Sequence, residues 1–438
     1  MNHTTNNDAM VEKPGYKFVV LGLVFLHYTL NYMDRQIIAI LSVPIQNELH
    51  LSDMQLGLLG GFAFALFYST FAIPIALLAD RSSRKRIMAV AIAVWSGFTA
   101  LCGVATNFWQ LFVFRLGVGI GEAGGVAPSY SLLSDYFPPN QRGRALAVIS
   151  SGIPIGSALG LVLGGVVAEY YGWRMAFISV GLFGVLVAPM IWLVIREPVR
   201  GRYDNIGKPE APQKIMDTFR CVVACPSFWL LSLGMGTGAM VLYGFGFWLP
   251  AFFQRSHDLS LQDTALLFGA LVLIGGLLGN FLGGWFGDKL GSHKPQYYAY
   301  VPSIAFVVGL PLLIGALWVD NLPLAFFLFI FPQACGVIAS SPVGVAVQNL
   351  GSPATRTTFI ACYLFVVNLL GLGLGAVVLG ALSDLLAERF VEDSLRYSLL
   401  VCAALLYPLA AIFYALAGRR LPRDWYGGKP DSLADGKK

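Results

Sequence analysis

Residues 76–86 read ALLADRSSRKR and residues 284–294 read GWFGDKLGSHK. Each stretch ends a long apolar run with an aspartate and then basic residues, so the same punctuation occurs twice in one chain. A second pair lies downstream of it: Pro128 and Arg142 recur as Pro342 and Arg356, both at an offset of 214 residues. The chain reads as two copies of one unit, an arrangement that membrane transporters use to build two bundles that rock about a central site.

Working outward, the remainder of each copy is apolar. Of 438 residues, 56% are hydrophobic and 12% are charged, against about 25% charged in an ordinary soluble domain. The apolar residues fall in blocks of about 20 or more, the length a helix needs to cross about 30 Å of hydrocarbon. Twelve spans are predicted, near 17–40, 54–79, 87–106, 109–133, 143–169, 175–195, 227–252, 264–287, 297–318, 322–346, 358–384 and 396–418. The expected fold class is an all-α membrane protein of 12 transmembrane helices in two six-helix bundles around a central cavity. Its expected parts are a tail at 1–16, a bundle at 17–196, a linker at 197–226, a second bundle at 227–418 and a tail at 419–438.

Of the 29 Lys and Arg residues, 23 fall on the terminal tails and even-numbered loops, four on odd-numbered loops and two inside spans. This asymmetry predicts both termini on the cytoplasmic side. The polar stretch before the first span lacks the pattern of a removable signal peptide. The net charge of +5 then follows from orientation, with no nucleic-acid partner implied. The six cysteines, at 102, 221, 225, 335, 362 and 402, suggest neither disulfides nor a metal site. No cofactor is expected. The five histidines, at 3, 27, 50, 257 and 293, form no nucleophile–base or zinc pattern, so an enzyme is not expected either.

Four ionisable residues sit well inside predicted spans: Asp34 and Arg35 in the first, Arg115 and Glu122 in the fourth. A charge at bilayer depth is expensive enough to make each a functional candidate. His27, Asn31 and Asp34 share one face of the first span, and Tyr28, Tyr32 and Arg35 form a parallel stripe. Arg115, Gly119 and Glu122 share a face of the fourth, where Gly119 leaves room for a substrate or a neighbouring helix. With the two halves aligned, these charges meet Met240, Val241, Phe329 and Gly336. A site that only fastened helices would be expected in both copies; a proton site in one half and an apolar substrate surface in the other fits the asymmetry better. A carboxylate beside an arginine in a low dielectric can change protonation when the helices move, which is what a proton carrier requires. In the second half, Thr237, Gln333 and Asn368 are candidate cavity residues beside an aromatic-rich surface. Glycines at 152, 156, 160 and 164, and again at 275, 279 and 283, allow close helix approach, either as fixed packing or as sliding surfaces.

The repeated cytoplasmic stretch resembles the signature of the major facilitator superfamily, G-x-L-A-D-R-x-G-R-K, matched by Asp80, Arg81, Arg84 and Lys85, and more loosely by Asp288, Lys289, Gly291 and Lys294. Two of its glycines are Ala76 and Ser83 here. The resemblance implies a cytoplasmic gate built from Asp80, Arg81, Arg84, Arg142 and Asp288. The strings NYMDR (31–35) and RLGVGIGEAGGVAPSYSLLSDYFPPNQRGRA (115–145) are similar to the Spinster family within it. That resemblance implies proton coupling by Asp34 and Glu122, an anion site at Arg35 and support of the network by Arg115; with the polar face and tyrosine stripe of the first span and the second-half candidates, the expected substrate site is Arg35, Arg115, Tyr28, Tyr32, His27, Asn31, Thr237 and Asn368. It further implies an anionic amphiphile as substrate, such as a lysophospholipid or a sphingoid phosphate. The organic-anion:proton symporters share N-Y-x-D-R and would take sugar acids or carboxylates instead. A receptor on the same fold is a third reading. The expected setting is a monomer in a bacterial inner membrane, with the lipid bilayer, protons and a small anionic or amphiphilic molecule as its partners.

Overall fold

The computed structural model describes residues 15–200, 202–203, 215–352, 355–390 and 393–426. Among these residues there is no strand. The chain divides into two compact units, one of residues 1–208 with 247–273, the other of residues 209–246 with 274–438.

In the first unit, α1 (Tyr16–Ile40) is followed by the short α2 (Ser42–Leu49). His50 stops α2 in a left-handed conformation, and Ser52 and Gln55 then form a capping box that starts the next helix. After a π-helical segment at Leu58–Phe62 come α3 (Ala63–Arg81), α4 (Arg84–Cys102), α5 (Phe108–Glu122) and α6 (Val126–Tyr136). Next is α7 (Pro139–Val194), whose regular hydrogen bonding is interrupted in conformation only at Gly172, with φ of +80°. That torsion is open to glycine at little cost and separates two spans where the sequence predicts a loop. α1 packs most extensively on α7, and α4 on both α5 and α7.

The second unit and the shared helices follow the same plan. α8 (Ile215–Val223) lies within the stretch expected to be a plain linker, so part of that linker is helical. Then come α9 (Pro226–Ser256), α10 (Leu261–Phe286), a π-helical segment at Gly287–Gly291, α11 (Tyr297–Trp318), α12 (Leu322–Ile338) and α13 (Ser340–Gln348). α14 (Arg356–Asn368) is joined by a π-helical Leu369–Leu374 to α15 (Gly375–Ala387), and α16 (Ser394–Asp424) is last. α16 runs past the expected span end at 418: the Asp424 carboxylate caps the Ser227 N–H at the start of α9, and Trp425 stacks on Tyr298.

Ten helical stretches among the described residues are long and apolar enough to cross a membrane. One of them, Gln141–Val194, holds two of the predicted spans, joined at Gly172. α1 is not among the ten; its polar face lowers its hydropathy while its length of 25 residues suffices to span. The protein is an integral membrane protein with the fold expected from its sequence.

Both glycine stripes are helix contacts. A Cβ on Gly156 or Gly160 would overlap the carbonyl oxygens of Thr29 or Met33 on α1, and one on Gly279 or Gly283 would come 2.5 Å from those of Ala334 or Ile338 on α12. No larger residue fits there without moving a backbone.

Candidate functional site

The four charges of the first and fourth spans converge in the first unit. α5 reaches its neighbours through missing side chains: a Cβ on Gly119 would lie 2.6 Å from the Phe64 carbonyl of α3, and one on Gly121 2.5 Å from the Trp95 nitrogen of α4. The room that Gly119 leaves is therefore taken by a helix. Close approach on both sides brings Arg115 and Glu122, two turns apart on α5, against α1.

The charges pair crosswise. Arg35 Nε donates to Glu122 Oε2 at 2.6 Å, with side chains 9% and 0% exposed. Arg115 Nη1 faces Asp34 Oδ1 at the longer distance of 3.8 Å, with side chains 1% and 2% exposed. The Thr99 hydroxyl of α4 donates to Asp34 Oδ2. Two carboxylates and two guanidiniums sum to zero, which is what makes the burial of four charges tolerable.

Arg35 is held in an aromatic box. Its guanidinium carbon lies 4.9 Å from the Tyr32 ring centre, 4.8 Å from that of Phe64 and 4.6 Å from that of Tyr68. Phe64 also faces Arg115, at 5.7 Å. Desolvated cation–π contacts of this kind are worth about 2 kcal/mol each. The π-helical turn just before α3 sets the phase at which Phe64 and Tyr68 point to the box. Tyr28 joins the same aromatic group through Tyr32 and Tyr130, at ring separations of 5.4 and 6.3 Å.

Several polar atoms here are buried without a hydrogen-bond partner: Arg35 Nη2, Arg115 Nε and Nη1, Asp34 Oδ1 and Glu122 Oε1. Buried polar atoms are normally satisfied, so orphaned donors on two arginines point to an anion acceptor, and orphaned carboxylate oxygens to a proton or a donor.

Of the other residues expected in the substrate site, His27 and Asn31 make no hydrogen bond to this group. His27 and Asn31 are completely buried, His27 against the Trp95 ring at 4.9 Å in a T-shaped contact. Thr237 and Asn368 belong to the second unit, where the Thr237 hydroxyl donates to the Leu233 carbonyl one turn earlier and Asn368 ends α14 beside a π-helical segment.

The residues expected in the cytoplasmic gate also separate. Arg84 is 2% exposed and donates to Asp135, to Glu197 at 2.7 Å and to the Ser131 carbonyl at 3.1 Å. Arg142 donates to the carbonyls of Ser134 and Phe137 at 3.0 and 3.1 Å, which ties the start of α7 to the end of α6. Arg81 is exposed, Asp288 is exposed on its π-helical turn in the second unit, and the side chain of Asp80 lies outside the described residues. Burial disfavours the charged form of Glu197, but hydrogen bonds from Arg84, the Lys85 N–H and Ser83 outweigh it and hold its carboxyl below the usual value of 4.5.

Sequence reasoning passed over Asp135 and Glu197, although each stands in a polar string at a span end, SDYFPP and REP. It also passed over a second charged centre in the first unit. Arg255, at the end of α9, donates to both oxygens of Asp53 at 2.8 and 2.9 Å and to Gln46 at 2.7 Å, and Gln46 donates to Asp53 at 2.8 Å. Asp53 follows a helix cap and Arg255 ends a span, positions that read as ordinary boundary charges.

Comparison with known proteins places these features. The family model of the Major Facilitator Superfamily matches residues 24–375. An MFS-type efflux pump of Mycolicibacterium smegmatis is 31% identical over 411 residues, covering 94% of this chain and 95% of that protein. Protein spinster homolog 1 of Homo sapiens is 28% identical over 422 residues, covering 89% of this chain and 78% of that protein. The crystal structure of a bacterial homologue of the human lysosomal transporter Spinster, in an inward-facing and unoccupied conformation, superposes with a TM-score of 0.87 at 31% identity, covering 94% of this chain and 99% of that one. The chain therefore belongs to the Major Facilitator Superfamily and is a transporter of the Spinster type within it, not an enzyme.

Proposed function

We propose that the protein is a proton-coupled secondary transporter that moves an anionic amphiphile, such as a lysophospholipid or a sphingoid phosphate, by alternating access. The observation that carries this reading is the buried Arg35–Glu122 pair with an unused donor on Arg35 and an unused acceptor on Glu122. An arginine in that setting can hold one anion at a time. Protonating Glu122 removes its charge and frees the guanidinium for a phosphate or carboxylate, which it grips with two parallel hydrogen bonds. Loss of the proton restores the ion pair and expels the substrate. Asp34 and Arg115 form a second, looser pair that rebalances charge during the exchange.

The box of Tyr32, Phe64 and Tyr68 around Arg35 supports an amphiphile, because apolar walls beside a cation suit a head group that carries a chain. The name of one relative, an MFS-type efflux pump, agrees with export but speaks of that protein. Arg84 with Asp135 and Glu197 is the gate cluster at one end of the first unit, and Arg255 with Asp53 and Gln46 is a second latch within that unit. The distribution of Lys and Arg supports cytoplasmic termini, and we take the protein to work as a monomer in a bacterial inner membrane.

A thermal-shift screen of purified protein tests the substrate class. Anionic lysolipids should raise the melting temperature of the wild type and leave Arg35→Ala unmoved, whereas stabilisation by sugar acids and not by lysolipids would favour an organic-anion symporter.

A further inference from the structure

Asp34 and Glu122 are sealed from water, so a proton that reaches them needs a route through the first unit. α1 carries two polar side chains whose burial the substrate site does not explain. Both nitrogens of His27 and both side-chain polar atoms of Asn31 are buried without a hydrogen bond. A histidine kept only for packing against Trp95 would be expected to satisfy at least one ring nitrogen. The imidazole approaches the Met88 backbone of α4 only in loose geometry, which leaves both ring nitrogens without a well-formed hydrogen bond.

The spacing has a simple consequence. Asn31 lies four residues from His27 and three from Asp34, about 6 Å and 4.5 Å along the helix axis. A gap of about 5.5 Å between polar atoms is the reach of one water making two hydrogen bonds. Beyond His27 the polar trail continues on α6. The His27 ring lies against Gly125, where a Cβ would meet Cε1 at 3.0 Å, and the Gly125 carbonyl accepts from the Ser129 hydroxyl at 2.7 Å. Farther along α6, Ser131 and Asp135 hold Arg84. Polar groups thus occur at intervals between Asp34 and the end of the first unit that bears Arg84.

We infer that His27 and Asn31 form a proton relay between the Asp34–Glu122 pair and the Arg84 end of the first unit, His27 as the carrier and Asn31 as the group that holds the intervening water. In one passage a proton binds one ring nitrogen and the N–H proton of the other nitrogen leaves for water at Asn31 and then for the Asp34 carboxylate. The ring ends neutral, and the carboxylate ends protonated. The charged and titratable groups around this path are Asp34, Arg35, Tyr28 and Tyr32 on α1, Tyr68 on α3, Cys102 on α4, Arg115 and Glu122 on α5, and Tyr130 on α6. Of these only Tyr28 falls between His27 and Asn31 in sequence, and it belongs to the neighbouring Tyr28, Tyr32 and Arg35 stripe of α1. The relay rests on the reading of Asp34 and Glu122 as proton carriers and adds the route by which they are reached.

The test follows the carboxylic C=O band by infrared spectroscopy after rapid acidification of the full chain in nanodiscs, with Asp34→Asn and Glu122→Gln assigning the band. His27→Phe and Asn31→Leu should slow its rise roughly tenfold or more with the final amplitude unchanged. Should the bulky changes fail to fold, His27→Gln keeps polarity without a proton-accepting nitrogen and should be slowed as well. A wild-type rate in any folded variant, or a lower amplitude at a wild-type rate, overturns the relay while leaving the coupling carboxylates in place. No carboxylic band in the acidified wild type overturns both the relay and the coupling on which it rests.

Discussion

Arg35 and Glu122 lie 87 residues apart in sequence and meet through a single hydrogen bond of 2.6 Å, in a place where Glu122 is wholly shielded from solvent. Each is the charge that makes the other's burial possible. Removing one partner of such a pair typically costs about 3–5 kcal/mol because the survivor is left uncompensated. Arg35→Gln and Glu122→Gln should each lower the melting temperature of the detergent-solubilised protein, and the double variant should lose less than the sum of the two. Additive losses in that double-mutant cycle would mean that the two side chains do not act as a pair.

The Arg84–Glu197 pair gives a pH prediction. The carboxyl of Glu197 is held below 4.5 in the folded protein, so its pairing with Arg84 adds stability above that pH and the contribution fades as pH falls through the lower folded value. Melting temperatures recorded between neutral and acid pH should therefore fall more steeply below about 4.5 for the wild type than for Glu197→Gln. Parallel curves would place the stabilising contacts of Arg84 on Asp135 alone.

The helix contacts predict a contrast between glycines. Gly156→Ala and Gly160→Ala put a methyl group onto the carbonyl oxygens of α1, whereas a Cβ at Gly143 meets nothing within 4 Å. Overpacking of this kind costs about 1–3 kcal/mol, so thermal stability in detergent should drop for the first two and stay unchanged for Gly143→Ala.

Arg255 and Asp53 predict a mobile end. The guanidinium makes two bonds to one carboxylate and a third to Gln46, a geometry a lysine cannot reproduce. With spin labels at His50 and Asp258, both exposed, Arg255→Lys and Asp53→Asn should broaden the distance distribution toward longer separations. An unchanged distribution in both variants would make this pair an incidental surface contact.

Much of this was legible in the sequence. The doubled D-R/K motif, the span lengths and the charges at 34, 35, 115 and 122 lead to the fold and to the centre of the site, because burying charge in a membrane is rare enough to be informative. What the sequence could not supply is the crosswise pairing, Arg35 with Glu122 and Arg115 with Asp34, since it depends on how deeply α5 sinks between α3 and α4 through Gly119 and Gly121. The partners of Arg84 and of Arg255 escaped for another reason. They are ordinary loop-end charges until the fold brings Asp135, Glu197 and Asp53 beside them. His27 and Asn31 read as part of a polar face, but their burial, and the contact of His27 with Trp95, appear only in the fold.

The central claim is that a proton on Glu122 and an anion on Arg35 replace the ion pair between them. It is tested most directly in proteoliposomes by following an anionic fluorescent lysophospholipid under an imposed pH gradient, for the wild type, Glu122→Gln and Arg35→Ala. The account predicts gradient-driven movement by the wild type alone, with Glu122→Gln still binding the lipid but without pH dependence, and Arg35→Ala losing nearly all binding. Gradient-driven transport by Glu122→Gln at the wild-type rate, or wild-type affinity in Arg35→Ala, would contradict it.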